Sequence, residues 1–316
     1  MVALPRTLSD NPIARAELTH QQRVAMDHKW RRWPVIFGVA LSAALISTAS
    51  LLLAPLLSDL LNISQNDLDE MLSGWFSTIT VLLAALLTSH HLSFSAAALQ
   101  VASTSITREK QARTWEDLLL TGVDARTIIY GKWWATTRTL WQGYRPLLLL
   151  RFAVAVWMGA SSGMALTSPF YYTPPLLNVV LIGFATAIFP LCYSAFSVGV
   201  GLLASLLVRN ETTAYRVASA IQFAAILVSL SLIMMSFTLP FTNYEAGFAT
   251  LIPALFVTPL DGGMLGLIGI VANDLLSSTF YLIGLMVCIT LYGGLTWMVL
   301  RAAQGIAVRQ RALPPI

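Results

Sequence analysis

Residues 177–207 read LNVVLIGFATAIFPLCYSAFSVGVGLLASLL, without one charged side chain. A helix needs about 20 apolar residues to cross a hydrocarbon core, so this stretch is long enough to span a bilayer. Five more segments of this kind lie near 35–57, 75–103, 146–166, 217–239 and 279–300. Each is too long and too continuously apolar for a barrel strand, which needs only about 10 alternating residues. Composition agrees: 56% of the chain is hydrophobic and 11% charged, against about 25% charged in a soluble domain. Mean hydropathy is +0.71. The expected fold is an all-α integral membrane protein, a bundle of six transmembrane helices over 35–300, with no soluble domain.

Short cytoplasmic connections keep Lys and Arg while translocated ones lose them, and here the asymmetry is complete. The N-terminal segment 1–34 holds Arg6, Arg15, Arg23, Lys29, Arg31 and Arg32, and the second connection holds Arg108, Lys110, Arg113, Arg126 and Lys132. Arg209 and Arg216 fall in the fourth, and Arg301, Arg309 and Arg311 in the tail 301–316. The first, third and fifth connections hold no basic residue; their charges are Asp59, Asp67, Asp69, Glu70, Glu245, Asp261 and Asp274. Both termini are therefore expected in the cytoplasm of a multi-pass protein of the cell (plasma or inner) membrane. The net charge of +4 reflects this sidedness; basic residues scattered among acids give nucleic-acid binding little support.

Residues 1–34 mix acids with bases and do not resemble a cleaved signal. Over 12–33, Ile13, Leu18, Val24, Trp30 and Trp33 sit among charges, the pattern of a helix lying in the membrane interface. Cys192 and Cys288 fall inside spans and are expected to pack as small apolar residues.

Between the second and third spans, residues 108–122 read REKQARTWEDLLLTG. Thr114-x-x-Asp117 is a capping-box pattern, and Gly122 offers a left-handed stop, which predicts a helix over 115–121. Three- and four-residue spacing groups Trp115, Leu118 and Leu119 on one side, and Asp124 can cap a following helix from about Ala125. So short a helix is marginal alone, so its apolar side must rest on a membrane surface or a partner protein.

Arg108-Glu109, Thr114-Trp115-Glu116-x-Leu118-Leu119-x-Thr121 and Ile128-Ile129-x-Gly131-Lys132 together resemble the pattern between the second and third helices of permease subunits of ABC-2-type transporters. Asn11-Pro12, with Glu17 and Arg23 before the first span, is similar to the start of many such chains. The resemblance covers about 40 residues by motif and the whole chain by topology. It implies that residues 113–122 form a coupling helix that fits a cleft in a separate ATP-binding subunit. Carried over, that docking role falls on Trp115, Glu116, Leu118 and Leu119, flanked by Glu109 and Arg113. It also implies a homodimer or heterodimer with a similar permease, export as the usual direction, and ATP and magnesium held by the partner. Gly122-Val123-Asp124 departs from the family, where many relatives have a proline. No G-x-x-x-x-G-K-[ST] phosphate loop occurs in the chain, and Gly131-Lys132 lacks both the earlier glycine and the following hydroxyl. The chain is thus expected to bind no cofactor and to be no enzyme by itself.

Several polar residues fall within the spans. Arg138, Arg145 and Arg151 run from the second connection into the third span, and Arg151 is expected to snorkel or to line a substrate entrance. Arg145-Pro146 marks an expected kink. His90 and His91 read as packed or interfacial residues, since no metal-ligand spacing surrounds them. His90, His91, Arg145 and Arg151 are the candidate pathway or interface residues. Ala195-x-x-x-Gly199 and Gly201-x-x-x-Ser205 suit close helix packing, within the subunit or across a dimer. Residues 240–278 are apolar but broken by Pro253, Pro259 and Gly262-Gly263, which predicts re-entrant or interfacial helices. The family makes such segments an outer lid. Two other readings stay open: an ATP-independent carrier or channel, disfavoured because every acid lies outside the six segments, and an intramembrane serine hydrolase using Ser161 of Gly159-Ala160-Ser161-Ser162-Gly163.

Overall fold

Helix starts are marked by side chains that satisfy the first backbone amides. In the computed structural model, Asn11 Oδ1 accepts from the Ile13 amide at 3.0 Å, with Pro12 at the first helical position, where its missing N–H is no loss. Ser64 accepts from the Asp67 amide at 3.3 Å, and Asn210 from the Thr212 amide at 3.0 Å. The structure describes residues 11–24, 32–53, 60, 64–120, 122–165, 176–238 and 278–312. Among these are eight helices and no strand: α1 Pro12–Val24, α2 Arg32–Leu52, α3 Gln65–Gln111, α4 Thr114–Leu120, α5 Ala125–Ala165, α6 Leu176–Leu207, α7 Glu211–Thr238 and α8 Ser278–Ala312.

Three of them are long and apolar enough to cross a membrane, over Thr78–Gln111 of α3, Gly183–Leu207 of α6 and Leu285–Gln310 of α8. A shorter apolar stretch, Trp33–Ile46, lies in α2. These helices suggest a membrane protein. Helices α3 and α5 extend well past the apolar segments read at 75–103 and 146–166, being 47 and 41 residues long. At about 1.5 Å per residue α3 reaches roughly 70 Å, more than twice a hydrocarbon core of about 30 Å. Its last turn carries Arg108 and Lys110. The segment read at 240–278 lies, up to residue 277, outside the described residues.

Helix α6 is the centre, packing against α3, α5, α7 and α8. Of its apolar window 78% is buried, against 33% for α3 and 22% for α8. Small residues on α6 make this possible: a Cβ built on Gly201 would stand 2.6 Å from Ala102 Cβ and 3.1 Å from the Leu99 carbonyl of α3. On another face, a Cβ on Gly199 would meet Val299 of α8 at 3.4 Å. The small-residue spacing therefore serves packing within the subunit. Above this seam an aromatic cluster closes the core, with Tyr292 of α8 edge-on to Phe189 and Tyr193 of α6. Cys288 is buried in that cluster and Cys192 half-buried at its edge, both as free thiols.

Candidate functional site at the polar end of the bundle

The motif residues at the start of the chain and those near residues 108 and 132 converge on one buried charge cluster. Lys132 of α5, only 1% exposed, donates to Glu17 of α1 at 2.9 Å, to Glu109 of α3 at 2.6 Å and to Ser105 at 3.3 Å. Arg108 approaches Glu17 at 3.7 Å. Gln21, one turn along α1 from Glu17, donates to it at 2.9 Å and to Thr136 of α5 at 2.8 Å. Asn11 donates to the Thr127 carbonyl at 2.7 Å and lies over Gly131, where a Cβ would come within 2.6 Å of its amide nitrogen. A side chain at 131 would push Asn11 off α5. Burial would raise the Glu17 carboxyl, but the Lys132 charge and hydrogen bond, the Gln21 amide and Arg108 outweigh it and hold it below its ordinary value of 4.5.

Helix α1 therefore turns a polar stripe inward: Asn11, Glu17 and Gln21 are buried with Ala14, while Ile13 and Leu18 are half-buried. Of the stretch read as an interfacial helix over 12–33, residues 25–31 lie outside the described residues. Helix α1 is described over Pro12–Val24, and Trp33 belongs to α2, edge-on to His90 with ring centroids 4.8 Å apart.

Helix α4 forms where the 115–121 helix is expected, beginning at Thr114. The Thr114 hydroxyl donates to the Glu109 carbonyl at 3.3 Å rather than accepting from the Asp117 amide. Arg113 makes the turn with φ at 59°, and Gly122 ends the helix with φ at 77°, the left-handed geometry expected of it. The apolar side of α4 rests on its own chain: Trp115 and Leu119 are buried among Ala102, Ile106, Ile128, Leu206 and Ala303. Arg113, Glu116, Asp117 and Leu120 face outward, Leu120 at 80% exposure, and Leu118 is half-buried. Of the docking residues carried over from the resemblance, Arg113 and Glu116 are thus exposed, Trp115 and Leu119 are internal, and Glu109 is engaged by Lys132.

Helix α4 is also tied to the end of α6. Trp115 Nε1 donates to Gln310 Oε1 at 3.2 Å, and Gln310 Nε2 donates to the Leu206 carbonyl at 2.8 Å. Lys110 Nζ donates to that same carbonyl at 2.6 Å and to the Ser205 carbonyl at 3.1 Å. A cation and an amide thus satisfy the last carbonyls of α6. Neither Lys110 nor Gln310 stands out in the sequence as anything but one more polar residue at a helix end.

Deeper in the bundle, His90 is fully buried and ringed by Trp33, Phe37, Phe94 and Tyr144, with centroids 4.8 to 6.2 Å away. His91 lies against Phe189 and Tyr193. Both are packed residues. Arg145 is exposed and Arg138 half-buried. Arg151 is fully buried and donates to the Thr186 carbonyl of α6 at 2.7 Å and to the Leu87 carbonyl of α3 at 2.9 Å. Ser161 lies inside the continuous helix α5, so the strand-to-helix turn of a nucleophile elbow is not formed there. Compared with known proteins, the chain matches no family model and no curated sequence.

Proposed function

We propose that the chain is the membrane-spanning permease subunit of an ATP-driven ABC transporter, an exporter, with six spans in a cell membrane and both termini in the cytoplasm. The observation that carries this reading is the meeting of the motif residues Asn11, Glu17, Arg108, Glu109, Gly131 and Lys132 in one cluster beside α4. Residues separated along the chain by more than a hundred positions thus support one short helix with an outward face. Two permeases of this kind, identical or similar, enclose the path, and two ATPase subunits dock from the cytoplasmic side. ATP and magnesium sit on those subunits. Arg113, Glu116, Asp117 and Leu120 form the contact surface of α4; Trp115 and Leu119 are its root. A push on the outer face passes through Trp115 and Gln310 to the end of α6, and hence to the centre of the bundle.

The test is purification of the tagged chain from its native membrane in mild detergent, beside a Glu116→Lys, Leu120→Glu variant. An ATP-binding subunit retained by the parent and lost from the variant, with thermal unfolding unchanged, is the expected outcome. No ATPase with either form would defeat the proposal.

A further inference from the structure

The proline of α6 and the buried cation of α5 meet at one carbonyl. In an α-helix the carbonyl of residue i accepts from the amide of residue i+4, so Thr186 would accept from residue 190. Residue 190 is proline, which has no N–H to donate, yet α6 runs on without interruption from Leu176 to Leu207. The donor at the Thr186 carbonyl is Arg151 Nε, at 2.7 Å, and Nη1 of the same guanidinium reaches the Leu87 carbonyl at 2.9 Å. The rigid fork of an arginine suits two acceptors held on two different helices. No carboxylate occurs between residues 71 and 108 or between 125 and 210, and both of these acceptors are backbone dipoles. Other donors of α5 line up on the same stretch of α6. The Tyr144 hydroxyl donates to the Ala187 carbonyl at 3.4 Å, Trp141 to the Ser194 hydroxyl at 3.2 Å and Trp133 to the Ala195 carbonyl at 2.9 Å.

We infer that Arg151 is the surrogate donor for Pro190, clamping the break in α6 to α3 and α5. It is a positioning residue, which holds the two halves of α6 in line, and not a receptor for an anionic ligand. The device belongs to the fold and stands whether or not an ATPase docks on α4.

The experiment compares thermal unfolding of the full chain in detergent for Arg151→Met, Pro190→Ala and the double variant. Alanine at 190 restores the missing amide, so the double variant should recover more than half of the loss caused by Arg151→Met, even if that single variant yields almost no folded protein. Pro190→Ala should not rescue Leu147→Ala, a core variant remote from the Thr186 carbonyl in chemistry though on the same helix as Arg151. Three results would each overturn the inference: Arg151→Met unfolding at the parent temperature, a double variant no better than Arg151→Met, or equal rescue of Leu147→Ala by Pro190→Ala.

Discussion

Lys132 carries the polar end of the bundle, because two carboxylates on two other helices depend on it. Removing one partner of a buried ion cluster leaves uncompensated charge and costs about 3–5 kcal/mol; Lys132→Met should lower stability by that order, read by thermal unfolding in detergent. Adding Glu17→Gln and Glu109→Gln should return much of the loss. Glu17 also sets an acid limit. Its carboxyl is held below 4.5 in the folded chain, so its contribution is complete above that pH and drains away as pH falls toward the folded value. A Glu17→Gln variant should show a flatter acid limb when stability is followed downward from about pH 4.5. The sequence marks Glu17, Glu109 and Lys132 as motif members, but Glu17 and Lys132 are 115 positions apart, and no local pattern says that they touch. Arg151 was legible only as an anomaly; the Thr186 and Leu87 carbonyls to which it donates have no signature in a sequence.

The helices themselves were legible, their ends less so. Hydropathy sees only the apolar part of α3, whereas the helix begins at a polar cap, Ser64, and runs on through Arg108 and Lys110. Glycine spacing announced close packing on α6 without naming the neighbour, since an interior seam and a dimer seam use the same small residues. With Gly201 against Ala102 and the α3 backbone, Gly201→Val has nowhere to go. It should cost about 1–3 kcal/mol or more, checked by the unfolding temperature, while Gly293→Val, where no neighbour lies within 4 Å, should cost far less. For α4 the sequence predicted the helix, its left-handed stop and the grouping of Trp115 with Leu119. What it could not tell was which surface receives that side, because Ala303 and Leu206 become neighbours only when α6 and α8 are in place.

At the scale of the molecule, three of the described helices suit a membrane crossing by length and composition, and the six-span reading makes a sharper claim. Tags on the N- and C-termini should then be protected from, or open to, protease together in sealed vesicles; opposite sidedness would require an odd number of crossings. The distribution of burial carries a consequence for synthesis. The most apolar of the described helices is α6, and part of its cover, Tyr292 and Val299, lies on α8, which leaves the ribosome after it. Until then the rings of Phe189 and Tyr193 and the Gly199 groove are open on that side. A nascent chain stopped before residue 278 is consequently left with an unfinished centre, and closure of that side of α6 waits on α8.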